Sequence, residues 1–167
     1  MNKGREADAT THVAADPESV FAFLDDQTNL SSHMSKPSAM MLGSAMAIHM
    51  DEDHTRRVGS RFGFEGRIFG IPLRVEEIVT ARQPPRSKSW ETTAEPVLWV
   101  IGSYTMRFDL APEANGSSLR VHIAYDPPRA GLPRLLAGLF GRLYARWCVR
   151  QMTSDAQRHF EKLRAAL

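Results

Sequence analysis

The chain has 167 residues, of which 43% are hydrophobic and 24% are charged, a composition typical of a globular protein with one sizeable core. Its 21 basic and 19 acidic side chains leave a formal net charge of +2, so no overall field attracts nucleic acid or an acidic substrate. The single cysteine, Cys148, excludes an intramolecular disulfide, which is typical of a reducing compartment and predicts a cytoplasmic protein.

We expect neither an export signal nor a membrane span. The first residues lead straight into alternating sequence without the apolar core of a secretory signal. The most apolar stretch, residues 132–149, contains Arg134, Arg142 and Arg146, which would be costly at membrane depth. The sequence therefore predicts one domain over residues 1–167, with residues 1–6 as a loose tail.

The N-terminal part predicts one strand and two short helices. Alternation over residues 7–15 is typical of a half-buried strand. Asp16 and Pro17 then supply an N-cap acid and a proline for the first helical turn, so a short helix should follow and end near residues 25–26. A second helical turn is predicted over residues 30–34.

The middle of the chain predicts an antiparallel sheet. From residue 39 to residue 125 the hydrophobic period stays near two and is interrupted only by turn signals, of which Asn115-Gly116 is the strongest. The other turn signals are residues 51–54, Gly70 with Pro72, Pro84-Pro85 and Glu95-Pro96. The predicted strands are residues 40–50, 59–69, 73–82, 87–94, 98–111 and 118–125.

A long amphipathic helix is predicted from about residue 136 to residue 167, with Pro133 in its first turn. Gly138 and Gly141 each cost about 1 kcal/mol relative to alanine in a helix, which predicts a bent or hinged start. We expect this helix to cover the inner face of the sheet, giving an α+β fold. The apolar stripe that defines the helix is Leu136, Phe140, Leu143, Trp147, Met152, Ala156, Phe160, Leu163 and Leu167.

The predicted inner face of the sheet is apolar but includes Glu77, Thr92, Tyr104 and Tyr125. A buried carboxylate or phenol costs several kcal/mol unless it is hydrogen-bonded. A partly hydrated ligand pocket would supply such partners. Alternatively, strand curvature turns these residues to solvent, they bond one another, or the tyrosine hydroxyls reach the edge of an ordinary core.

The order of elements resembles the helix-grip superfamily called SRPBCC, which includes START domains, plant pathogenesis-related lipid binders and bacterial polyketide cyclases. The resemblance rests on residues 13–24, on residues 104–108 with the Asn115-Gly116 turn, and on residues 121–125. It implies a curved sheet of six to seven strands around the C-terminal helix, and a cavity between them for a lipid, polyketide or similar molecule. In some members of the superfamily this cavity is also catalytic.

The leading hypothesis is a non-catalytic carrier or sensor of a hydrophobic small molecule. The alternative is an enzyme of the polyketide cyclase/dehydratase type, in which Glu77 or Tyr104 moves protons. The residues predicted to line the ligand cavity are Phe62, Phe64, Val75, Glu77, Trp90, Thr92, Tyr104, Met106, Phe108, Trp147 and Met152.

Other reactive side chains have simpler explanations. Residues 49–54 contain ligand types suited to a metal ion, but their spacing matches no metal loop and a solvated turn explains them, so no metal is assigned. His159 and Cys148 are interpreted as boundary and core residues. Because no glycine-rich phosphate loop is present, we expect no nucleotide cofactor.

A third hypothesis concerns the start of the predicted helix, since residues 127–154 contain no acid. Three arginines there recur every four residues and share one helix face: Arg142, Arg146 and Arg150. With Leu135 and Leu139 they could bind an anionic membrane surface as a peripheral module. A solvated basic stripe beside a core stripe is the alternative, and the oligomeric state stays open.

Overall fold

The computed structural model describes residues 5–37, 45–94, 96–98, 100–129 and 131–166. Its elements in chain order are β1 (Arg5–Val13), α1 (Pro17–Asp25), α2 (Gln27–Leu30), β2 (Met46–Met50), β3 (Arg61–Ile68), β4 (Ile71–Gln83), β5 (Ser87–Thr92), β6 (Tyr104–Glu113), β7 (Gly116–Tyr125) and α3 (Gly131–Ala165).

The seven strands form one antiparallel sheet in the order β1-β7-β6-β5-β4-β3-β2. Strands β2 to β7 follow one another as a meander, and β1 pairs with β7, so the first strand lies beside the last. The long helix α3 packs against β1 and β7, and both short helices contact it. The predicted α+β helix-grip architecture is therefore confirmed.

The first helix has the predicted start. The Asp16 side chain accepts a hydrogen bond from the Ser19 amide at 2.8 Å, and Pro17 occupies the first turn. The second helix lies earlier than residues 30–34, because Asp26 Oδ1 accepts from the Thr28 amide at 2.9 Å and begins a turn there.

Both ends of the sheet differ in detail from the prediction. Arg5 and Glu6 were predicted as tail, but they belong to β1 and pair with Tyr125 and Ala124; residues 1–4 of that tail lie outside the described residues. Strand β2 begins at Met46, and residues 40–44 of the predicted strand also lie outside them.

The predicted strand over residues 98–111 was wrong in its first part. Strand β6 begins only at Tyr104. Val97 forms an isolated bridge with Arg74, and the Gly102 amide donates to the Asp126 carbonyl at 2.7 Å. Because Val97 and Gly102 make these other bonds, the pairing of β6 in the sheet begins only at residue 104. Of the predicted turns, Asn115-Gly116 joins β6 to β7 as expected, with Asn115 at φ 63°. Glu95 of the predicted Glu95-Pro96 turn lies outside the described residues.

The predicted buried face of the long helix was wrong in its first half. Helix α3 starts at Gly131 and runs through Gly138 and Gly141 as one element. Phe140 and Leu143 point outward, with 44% and 57% of their surface exposed, whereas Met152, Ala156 and Phe160 are buried. In their place the first half of the helix buries Ala137, Gly141, Tyr144, Ala145 and Cys148. Leu163 in the last turns was also predicted as buried but is 50% exposed, and Leu167 lies outside the described residues.

Close approach of the backbone explains this choice of face. A Cβ added to Gly141 would lie 2.7 Å from the main-chain oxygen of Val100. Alanine and glycine let the helix approach the segment before β6, which bulkier side chains would prevent. The large apolar residues of the first half therefore turn away from the core.

A buried charged cluster joins α1 to the sheet. Lys88 Nζ donates to the Asp25 main-chain oxygen at 2.8 Å and to Thr55 Oγ1 at 3.0 Å. Arg82 donates from two nitrogens to the Asp25 carboxylate. Burial opposes ionisation of Asp25, but the Arg82 hydrogen bonds and the Lys88 charge hold its pKa below the ordinary value.

Candidate ligand site

A small, mainly apolar cavity with a few polar side chains lies between the sheet, the α2 region and helix α3. Its volume is about 30 Å³, which is room for about one or two water molecules. The sheet and the segment before β6 contribute Phe64, Glu77, Trp90, Leu98, Ile101, Tyr104, Met106 and Ile123 to its wall. The helices and the turn after α2 contribute Gln27, Ser31, His33, Met34, Tyr144, Cys148 and Met152.

The structure brings only some of the predicted cavity residues together. Six of them surround this cavity: Phe64, Glu77, Trp90, Tyr104, Met106 and Met152. Phe62, Val75 and Phe108 are buried in the core but do not line it. Thr92 lies at a separate surface pocket beside Ser103, and Trp147 borders an outer groove beside α3. These five residues do not line this cavity, because a shared sheet face does not decide which side chains meet one void.

Sequence reasoning missed the helical side of the cavity. Tyr144 and Cys148 are four residues apart on the face of α3 that carries Ala137, Gly141 and Ala145, so the row of small residues was an available signal. The contribution of Gln27 and His33 had no such signal, since polar residues beside a four-residue helix are ordinarily exposed.

Unpaired polar atoms are concentrated at this cavity. Among the described residues, buried polar side-chain atoms without a hydrogen-bond partner include four from the cavity wall: Gln27 Oε1, His33 Nδ1, Glu77 Oε2 and Trp90 Nε1. Two further such atoms, Asp51 Oδ1 and Tyr125 OH, lie elsewhere. Since buried polar atoms are nearly always paired, the wall presents both donors and acceptors to a hydrogen-bonding guest.

Glu77 is a buried carboxyl group in this wall. Burial raises its pKa to about 8, although the nearby Tyr104 hydroxyl and Trp90 indole oppose part of the rise. Burial and the closeness of Glu77 also hold the pKa of Tyr104 well above its ordinary value. At neutral pH both groups therefore retain their protons. One proton can hydrogen-bond the two side chains to each other, which leaves the other to donate to a carbonyl or hydroxyl oxygen of a bound molecule.

His33 separates the cavity from the outer groove, because it lines both. Its ring meets the Trp147 ring edge to face, with centroids 5.4 Å apart. Burial lowers the His33 pKa to about 4, so the ring is neutral at physiological pH. Burial also raises the pKa of the Cys148 thiol to about 12, which leaves it a thiol rather than a nucleophilic thiolate.

A group of potential metal ligands lies on the opposite, outer side of the sheet. One atom each of His49, Glu65 and Glu76 falls within 4.8 Å of the others. Arg74 already lies 3.5 Å from Glu65 Oε1 and 3.2 Å from Glu76 Oε1. Because the guanidinium supplies the positive charge that these carboxylates need, we assign no metal to the group.

A curved antiparallel sheet closed over a long C-terminal helix, with a cavity where they meet, defines the helix-grip class of proteins. Residues 5–167 match the family described as polyketide cyclase / dehydrase and lipid transport, and the chain belongs to that family. No curated protein matches the chain in sequence. Within the described residues, no helix has the length and apolar character needed to cross a membrane.

Solved structures share this fold at low sequence identity. Major latex-like protein 151 from Panax ginseng has a TM-score of 0.65 at 12% identity, over 95% of this chain and 99% of its own. TTHA0849 from Thermus thermophilus has a TM-score of 0.61 at 14% identity, over 93% and 99%. The di-domain ARO/CYC BexL from the BE-7585A biosynthetic pathway has a TM-score of 0.62 at 18% identity, over 95% of this chain and 50% of its own.

Proposed function

We propose that the protein binds a hydrophobic small molecule with an oxygenated group, such as a lipid or polyketide, between the sheet and α3, and acts as its carrier or sensor. The observation that carries this proposal is the convergence of four unpaired polar atoms on one cavity whose other walls are apolar. Membership of a family named for polyketide and lipid handling supports it. The single, buried thiol suits a cytoplasmic site of action.

A hydrophobic guest needs more space than about 30 Å³, so side chains of the wall must move when it binds. Three of these side chains are methionines: Met34, Met106 and Met152. Methionine is unbranched and adapts its shape at low cost. Among the described residues, the α2 side of the wall consists of a four-residue helix and the turn after it.

Native mass spectrometry of protein purified from cytoplasm tests this function. We expect a lipid-like adduct to be retained, and the purified protein to bind the fluorescent fatty acid cis-parinaric acid at one site. Replacing Glu77 with leucine should weaken that binding by about tenfold, because a guest oxygen loses its partner. Glu76→Leu is the matched control, since Glu76 lies on the opposite face of β4. Reproducibly empty protein that does not bind the probe would overturn the proposal.

A second candidate function is cyclisation of a bound polyketone, favoured by the neutral Glu77 beside Tyr104. In an aldol closure, Glu77 would protonate the ketone oxygen as the enol carbon of the same substrate attacks the carbonyl carbon. The enol hydroxyl would then return its proton to the Glu77 carboxylate as it becomes a carbonyl, while Tyr104 donates a hydrogen bond to the oxygen of the newly formed hydroxyl. If Glu77→Gln and Tyr104→Phe convert a polyketone substrate as fast as the parent protein, this function is wrong.

A further inference from the structure

The outer side of the first half of α3 carries an unusual apolar surface. Five large side chains within residues 132–143 are exposed: Leu132 (60%), Leu135 (73%), Leu139 (73%), Phe140 (44%) and Leu143 (57%). Single exposed leucines are common, but a contiguous cluster marks an interaction site. We call these five residues the leucine patch. Because the inner face of the same turns packs on the protein core, the patch is not needed for folding.

The leucine patch continues into a row of positive charge. At about 100° per residue, Leu139 and Leu143 differ by about 40° around the helix axis, and Arg146 and Arg150 fall within the same sector. Arg142 lies beside them, and all three arginines are exposed. Within the described residues none of the three forms an ion pair with a carboxylate. No acidic residue occurs between residues 127 and 154, so this stretch of α3 itself carries only positive charge; from the adjacent strand β1, Arg5 and Glu6 share a surface pocket with Arg142.

We propose that this surface binds the face of a bilayer that contains anionic phospholipids, with α3 parallel to the membrane plane. The leucine patch would insert to the depth of the headgroup and acyl boundary, and the three arginines would pair with lipid phosphates. This interaction is additional to ligand binding in the cavity. It requires no opening of the wall, because every residue involved already faces solvent.

The positive charge of the arginine row favours an anionic membrane over a second copy of the chain as the binding partner of this surface. Packing two leucine patches together would bring two rows of three arginines near each other, and Glu6 beside Arg142 offsets only part of that charge, which is unfavourable. A partner with a continuous layer of negative charge above an apolar interior can pair with the arginines and bury the leucine patch at the same time. An anionic bilayer has that layered chemistry.

The proposal is tested by sedimentation of ligand-free protein with vesicles of phosphatidylcholine alone and with 30% phosphatidylglycerol. We expect sedimentation only with the anionic vesicles, and its loss at high salt. The triple variant Arg142→Gln, Arg146→Gln, Arg150→Gln should lower partitioning by roughly fivefold for each arginine removed. The double variant Leu135→Gln, Leu139→Gln should lower it on the order of tenfold or more.

Matched controls come from the last turns of the same helix. Leu163 is also exposed, at 50%, and Arg164 lies beside it, so Leu163→Gln and Arg164→Gln should leave partitioning unchanged. Circular dichroism confirms that each variant is folded. The proposal is overturned if the parent protein does not bind anionic vesicles. It is also overturned if the arginine and leucine variants lose no more affinity for these vesicles than the two control variants do. A dimer in solution that Leu135→Gln, Leu139→Gln converts to monomer would show that a second copy covers the patch instead.

Discussion

Lys88 and Asp25 form an ion pair in the interior of the protein: Lys88 Nζ lies 3.2 Å from Asp25 Oδ1, and the lysine side chain is 0% exposed. The same ammonium also bonds the main-chain oxygen of Asp25. This pair ties the C-terminal end of α1 to β5, on which Trp90 of the cavity wall is also carried. The position of the short helices over the sheet therefore depends on it.

Replacing Asp25 with asparagine should destabilise the protein by about 3–5 kcal/mol, because Lys88 loses its counter-charge while remaining buried. Urea denaturation measures the change. The control is Asp53→Asn, which removes an exposed partner of Arg57 and should change the free energy of unfolding by less than about 1 kcal/mol. Equal effects of the two substitutions would contradict a buried role for the pair.

Glu77 should make the protein less stable as the pH rises. Its pKa of about 8 lies above the ordinary 4.5, so the folded protein holds a proton that the unfolded chain releases between these pH values. The favourable contribution is complete below pH 4.5 and is lost progressively up to pH 8, at about 1.4 kcal/mol per pH unit. In urea denaturation, the free energy of unfolding of Glu77→Gln should therefore rise relative to that of the parent protein as the pH increases from 4.5 to 8. Parallel stability curves would rule out the raised pKa.

His33 should have the opposite effect. Its pKa of about 4 lies below the ordinary 6.5, so its contribution is present above pH 6.5 and is lost as the pH falls towards 4. Between pH 4.5 and 6.5 the effects of His33 and Glu77 should cancel in the parent protein. His33→Asn should uncover a loss of stability with rising pH in that interval. An unaltered curve for His33→Asn would count against a buried neutral imidazole.

The two glycines of α3 should respond oppositely to alanine. A Cβ at Gly138 meets nothing within 4 Å, so Gly138→Ala should stabilise the helix by about 0.5–1 kcal/mol. At Gly141 the Cβ would lie 2.7 Å from the Val100 oxygen, so Gly141→Ala should destabilise by about 1–3 kcal/mol. Thermal melting of both variants measures this. A Gly141→Ala protein as stable as Gly138→Ala would mean that the helix does not approach residue 100 so closely.

Much of the fold follows from local patterns. The alternation of residues along β3, β4 and β7, the Asp16-Pro17 helix start and the Asn115-Gly116 turn are each properties of a few neighbouring residues, and the structure confirms all three. The same alternation placed Glu77, Trp90 and Met106 on the inner face of the sheet. Their neighbours around the cavity, such as Gln27 and Tyr144, come from other elements and depend on how these elements pack.

The order of the elements, the antiparallel meander and the superfamily resemblance can be predicted from the amino-acid sequence, because hydrophobic period and turn chemistry act over a few residues. The buried face of α3, the small volume of the cavity and its unpaired polar atoms emerge only when the elements pack together. These depend on contacts between distant parts of the chain, such as Gly141 against Val100 and His33 against Trp147. The pattern of leucines showed an amphipathic helix, but only the approach of the backbone at Gly141 turned those leucines outward.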